Sequence, residues 1–186
     1  MTPIQSCIVY KNNTKNPIWF MRQAGRYLPE FREIRSKNEN FIKLCLNPDL
    51  SKEITIQPLR RFNLDAAIIF SDILFVPYAL GQNVEFKKNF GPKLSELNID
   101  EILKTKEEDI FKRLNPIYDL IKITLKDRAL INKDLIGFVG ATWTILVYML
   151  NRESPKNNLD KNIFNHEYLE ELISKIIYTQ KLHIKK

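Results

Sequence analysis

Arg22 and Arg26 stand close together in this 186-residue chain, joined by the short link Gln23-Ala24-Gly25 and preceded by the apolar run Pro17-Ile18-Trp19-Phe20-Met21. Two neighbouring guanidiniums repel each other. They are tolerated when both reach solvent, or when a ligand with several negative charges binds between them. Each grips a carboxylate or phosphate through two parallel N–H donors. Gly25 lets the backbone turn and leaves room for a ligand to approach. The competing reading is ion pairing with Glu30, Glu33 or Asp65. Asp72 follows a second apolar run, Ala66 to Phe70. A carboxylate there either accepts hydrogen bonds from N–H donors in a site or caps the next helix. Tyr148 lies in the apolar segment Thr142 to Leu150, where a packed tyrosine is the ordinary reading.

The elements that must position these groups are legible as patterns. Pro17–Met21, Ala66–Phe70 and Leu135–Val139 are nearly continuous apolar runs, as buried parallel strands are. Helices are expected over Pro29–Ser36, over Pro48–Phe62 with Pro58 kinking or ending it, and over Ile99–Leu130 with an interruption at Pro116. Two more are expected over Thr142–Leu150 and, with a clear apolar stripe, Glu167–Leu182. Val84–Leu94 reads as a loop or hairpin with a Gly91-Pro92 turn, and Lys156–Asn165 as a polar loop. Strands alternating with helices argue for an α/β fold with a parallel sheet.

Composition narrows the function classes. The hydrophobic share of 44% and aromatic share of 11% suit a packed globular domain. No apolar run reaches the length of a membrane span, and the N-terminus lacks the pattern of a signal peptide. Cys7 and Cys45 are too few and too isolated for a disulfide framework or a zinc site, which suits a reducing cytoplasm. The net charge of +7 is spread over scattered lysines, which favours a solvated surface over a nucleic-acid stripe.

The segment PIWFMRQAGRYLPEFREIR, Pro17 to Arg35, resembles the N-terminal signature of the uroporphyrinogen decarboxylase family. LDAAIIFSDIL around Asp72 and IGFVGATWTILVYM around Tyr148 are similar to two further family segments, so the resemblance runs from Pro17 to Met149. It implies removal of carboxyl groups from the four acetate side chains of uroporphyrinogen III to give coproporphyrinogen III, a lyase reaction of haem biosynthesis without metal or organic cofactor. It implies a (β/α)8 barrel with its site at the C-terminal strand ends. On that resemblance the whole chain, residues 1–186, is expected to form one domain holding about the first three β/α units, with the later strands absent and the chain truncated at its C-terminus. It implies that Asp72 accepts hydrogen bonds from the pyrrole N–H groups and stabilises positive charge on a protonated pyrrole. It implies that Arg22 and Arg26 hold the substrate's carboxylates, one of them placed to relay a proton, that Gln23, Ala24 and Gly25 supply backbone contacts, that Arg35 touches a carboxylate, and that Tyr148 points toward the substrate near Asp72. Family members form homodimers; no nucleic acid or membrane partner is expected, and a cytoplasmic location is.

The sequence departs from the family pattern after the third run. Thr142 stands where the family usually has proline, a substitution that suits a helix cap, and Leu150-Asn151-Arg152-Glu153 replaces a glycine-rich loop. His166 and His183 match no family position and read as surface residues. An inactive remnant, or half of a split enzyme needing a complementary chain, is the alternative. A basic RNA-binding module ranks last, since no aromatic-basic stacking motif is present. A zinc-dependent methyl-transfer barrel needs a His and Cys cluster that the sequence does not contain.

Overall fold

The computed structural model describes residues 1–10, 16–88, 90–156, 159 and 161–186, without the side chains of Tyr10, Lys161 and Ile163. Its elements in chain order are α1 (Pro3–Tyr10), α2 (Pro29–Lys37), α3 (Phe41–Cys45), α4 (Pro48–Arg61), β1 (Ala66–Ile68), α5 (Phe75–Ala79), β2 (Val84–Lys87), β3 (Gly91–Leu94), α6 (Ile99–Lys104), α7 (Glu107–Leu125), a 3-10 turn (Arg128–Leu130), β4 (Asp134–Ile136), α8 (Thr142–Asn151), a second 3-10 turn (Lys161–Phe164) and α9 (Leu169–Lys185). The chain divides into two compact units. The first comprises residues 1–39, 43–71 and 116–138, and the second residues 40–42, 72–115 and 139–186.

In the first unit β1 pairs with β4 in parallel, Ala66 opposite Asp134 and Ile68 opposite Ile136. The two apolar runs thus form the expected parallel pair, both shorter than expected. Ile69 still donates its N–H to the Ile136 carbonyl at 3.0 Å. One residue later the Phe70 N–H turns to Thr55 Oγ1 on α4 at 2.9 Å, and the ladder ends. Leu59, Leu64, Ala67 and Leu130 form a buried cluster, with Ala129 and Leu135 packed against it. Asn47 caps α4 by accepting the Leu50 N–H at 3.1 Å, and Pro48 occupies the first turn, where a missing N–H costs nothing. Pro58 lies inside α4 without ending it. Glu30 of α2 holds Arg61 of α4 through two bonds of 2.6 and 2.8 Å.

The run Pro17–Met21 is not a strand, and this corrects the sequence reading. Ile18 exchanges hydrogen bonds with Asp65, its N–H to Oδ2 at 2.7 Å and its carbonyl to the Asp65 N–H at 2.9 Å. The Phe20 N–H is then taken by Gln23 Oε1 at 3.1 Å, so no ladder propagates. The side chains are open: Ile18 is 55% exposed, Trp19 42%, Phe20 62% and Met21 85%. Apolar continuity alone does not distinguish this segment from β1. The described sheet therefore holds two parallel strands, where three were expected.

The second unit carries the antiparallel hairpin of β2 and β3, Val84 opposite Leu94 and Lys87 opposite Gly91. Gly91 has φ +82 and opens β3, so Pro92 lies in the strand and not in the turn. The expected helix Ile99–Leu130 breaks at Thr105, not at Pro116, which lies within α7. Lys175 of α9 explains the break, donating to the Leu103 carbonyl at 3.0 Å and the Thr105 carbonyl at 2.6 Å, both at the open end of α6. Leu172, Ile176 and Thr179 bury one face of α9, which packs on α5, α6 and α8. Part of the expected polar loop Lys156–Asn165 lies outside the described residues; the remainder includes the second 3-10 turn.

His183 on α9 is half-buried, contrary to the surface reading, and burial pushes its pKa below the ordinary 6.5. The unfolded chain therefore takes up more protons below that pH, and stability is lost as pH falls through 6.5. The urea midpoint of His183→Gln is expected to fall less between about pH 7.5 and about pH 5 than that of the parent chain. Equal falls in the two proteins would contradict this.

Candidate functional site

The sequence-selected residues divide between the two units. In the first, Arg22, Gln23, Ala24, Gly25 and Arg26 form a tight loop: the Arg26 N–H reaches the Ala24 carbonyl at 2.9 Å and the Leu28 N–H the Gly25 carbonyl at 2.7 Å. Gly25 is buried, and a Cβ there would fall 2.4 Å from Cδ1 of Leu28, which is itself 3% exposed. Its small size thus serves packing at this turn. Arg22 and Arg26 are both exposed. The carboxylates that competed for them are engaged elsewhere: Glu30 with Arg61, Glu33 with Lys37, and Asp65 with the Ile18 N–H. Among the described residues no ion pair involves either arginine.

Arg35 is half-buried, and its Nη1 donates to the Asn38 carbonyl at the end of its own helix. It therefore has a local structural role beside any contact with a ligand. Arg32 is exposed, as the sequence suggested. Gln23 is 7% exposed and uses both ends of its amide: Nε2 donates to the Ala66 carbonyl at 2.7 Å, and Oε1 accepts from Phe20.

In the second unit Asp72 is half-buried and its Oδ1 accepts the Leu74 N–H at 2.9 Å. It shapes the turn into α5 without being that helix's N-cap, which is Leu74. Gly140 makes room for the adjoining segment: a Cβ there would lie 2.8 Å from Ile73 Cβ. Ile73 and the Gly140 turn thus pack directly on each other. Tyr148 is half-buried on α8, whose apolar face buries Ile145, Leu146 and Met149.

Two residues here have roles that the sequence reading did not assign. Gln180 lies one turn beyond Ile176 on the buried face of α9, donates Nε2–H to the Gly140 carbonyl at 2.6 Å, and accepts the Thr142 hydroxyl at 2.7 Å. Thr142 therefore ties α8 to α9, while Ala141 is the N-cap. A glutamine on the apolar stripe of an amphipathic helix was the available signal. Arg152 has φ +59, in the left-handed region that favours glycine, at the loop where the family pattern has glycines. Its carbonyl accepts the Leu94 N–H at 2.8 Å, which holds it there. Arg152→Gly is expected to raise stability by about 0.5–1 kcal/mol, strain relief outweighing the added freedom of the unfolded chain. A lower denaturation midpoint in the variant would refute this.

A cleft of about 630 Å³ lies in the second unit, lined by Leu103, Glu170, Glu171, Ser174, Lys175 and Tyr178. It includes none of the sequence-selected residues. Among the described residues no group of three His, Cys, Asp or Glu side chains is placed to hold a metal, and no helix is long and apolar enough to cross a membrane.

Chemically, the first unit offers a hydrogen-bonded turn with two exposed guanidiniums, and the second a half-buried carboxylate in the turn before α5. The sequence also matches named relatives. Proteins named uroporphyrinogen decarboxylase from Brucella anthropi, Brucella ovis and Brucella canis are each 44% identical to it over 154 residues, 83% of this chain and 45% of theirs. The chain thus spans about half the length of the curated relatives it matches. The family model for uroporphyrinogen decarboxylase matches residues 4–186. The chain belongs to the uroporphyrinogen decarboxylase family.

Proposed function

We propose that the chain serves the cofactor-free decarboxylation of the four acetate side chains of uroporphyrinogen III to coproporphyrinogen III. Arg22 and Arg26 hold carboxylates of this octacarboxylate, assisted by Arg35 and by the backbone of Gln23, Ala24 and Gly25. Asp72 accepts hydrogen bonds from pyrrole N–H groups. Its charge stabilises the cation formed when a pyrrole carbon is protonated, and the protonated ring is the electron sink for loss of carbon dioxide. Tyr148 orients the substrate near Asp72. The observation that carries the reading is the arginine loop: a hydrogen-bonded turn presents two exposed guanidiniums that take part in no ion pair among the described residues.

On this reading residues 1–186 form one domain, β1 and β4 are neighbouring strands of a (β/α)8 barrel, and the protein acts in the cytoplasm. A second reading, that the chain alone turns over poorly and needs a complementary chain, is favoured by the exposed run Ile18–Met21. It is also favoured by the solvent exposure of the arginines, since preorganised charge works best where water is excluded.

Titration with uroporphyrin, the stable octacarboxylate, tests the reading. Affinity is expected to fall steeply as salt rises, because exposed carboxylate–arginine pairing is screened. Lys88→Ala, in the β2–β3 turn, is expected to change little. Salt-independent binding, or an equal loss in Lys88→Ala and Arg26→Ala, would overturn the site assignment.

A further inference from the structure

We propose that Gln23 is the positioning residue of the arginine loop, acting on the ligand through Arg22 and Arg26 and not by side-chain contact; the proposal rests on the tetrapyrrole reading above. Gln23 alternates in exposure with its neighbours. Arg22 and Arg26 are open to solvent, while Gln23 is 7% exposed. Its Nε2 donates to the carbonyl of Ala66, the first residue of β1 and fully buried, at 2.7 Å. Its Oε1 accepts the Phe20 N–H at 3.1 Å. One amide thus fastens the loop to the sheet and closes the turn that precedes the loop. Both bonds go to backbone, so the fastening is independent of the neighbouring side chains.

Two consequences follow. The amide consumes the N–H of Phe20 and so stops Pro17–Met21 from extending a ladder along β1. It also fixes the origin of both guanidiniums relative to β1. A bidentate grip depends on holding the fork in one geometry, so loosening the loop weakens a carboxylate contact that the Gln23 side chain does not itself make.

Gln23→Leu keeps most of the shape and removes both polar ends. Amide hydrogen exchange over residues 18–27 is expected to quicken by about tenfold while the rest of the chain is unchanged, the size expected for one lost buried hydrogen bond. Uroporphyrin affinity is expected to fall by about tenfold for the same reason. The falls caused by Gln23→Leu and Arg26→Ala are expected to be non-additive, since part of the Gln23→Leu loss acts through the guanidinium that Arg26→Ala removes.

Gln23→Glu supplies a second readout. Its ionised carboxylate faces the Ala66 carbonyl without a proton to share; when protonated, it donates as the amide does. The affinity of Gln23→Glu relative to the parent chain is therefore expected to recover as pH falls. Local loosening, non-additivity and recovery at low pH support the proposal. Unchanged exchange, protein-wide loosening, strictly additive losses or a flat pH ratio overturn it. If Arg26→Ala leaves uroporphyrin affinity intact, the tetrapyrrole reading has failed. The exchange measurement then decides the Gln23 fastening alone: quickening confined to residues 18–27 supports it, and any other pattern overturns it.

Discussion

Replacing Arg22 and Arg26 together by alanine is expected to lower affinity for uroporphyrin by roughly 10²–10⁴-fold, taking about 1.5–3 kcal/mol for each hydrogen-bonded charge lost. Both guanidiniums are exposed, and the neighbouring carboxylates Glu30, Glu33 and Asp65 are engaged elsewhere. Their removal therefore breaks no ion pair among the described residues, and the fold should hold. Circular dichroism and urea midpoints should match those of the parent chain. The loss should also shrink as salt rises, because screening weakens the pairing that the variant lacks. A double variant that binds as the parent does would remove the arginine loop from the account.

Gly140→Ala is expected to cost about 1–3 kcal/mol of stability, the usual penalty for forcing atoms into a filled space. A Cβ there falls 2.8 Å from Ile73 Cβ and 3.1 Å from Ile145 Cγ1. The first of these is the stem of a side chain and cannot swing away, so the Asp72-Ile73 backbone must shift. Asp72 is the adjacent residue, so ligand affinity should fall with stability. Gly137 provides the control. Nothing lies within 4 Å of a Cβ at Gly137 and its φ is not positive, so Gly137→Ala should be close to neutral. Equal denaturation midpoints for the two variants would refute the packing argument.

The parallel pairing of β1 with β4 was legible because both runs are short, apolar and bounded by polar residues. The same signal failed at Pro17–Met21. There the outcome depended on where single N–H groups go, and two of them go to side chains, Asp65 and Gln23. The break at Thr105 was hidden for a similar reason: its carbonyl is held by Lys175, far along the chain. The helix α1 carried no cap or periodic stripe, and was not foreseen. Arg22, Arg26 and Asp72 were singled out by residue type and neighbourhood, and their roles toward a ligand belong to the proposal above. The fastening by Gln23 was not legible, since it depends on a contact 43 positions away.

Product analysis tests the central claim most directly. The chain is incubated with uroporphyrinogen III, alone and together with the region of the Brucella anthropi relative outside the matched 154 residues, and the porphyrins are separated by carboxylate number. The account predicts slow or no conversion by the chain alone. It predicts coproporphyrinogen in the mixture, with Asp72→Asn reducing the rate by roughly 10²-fold or more, as loss of a charge-stabilising group does. Conversion unaffected by Asp72→Asn, or none in the mixture while the parent chain binds uroporphyrin, would contradict it.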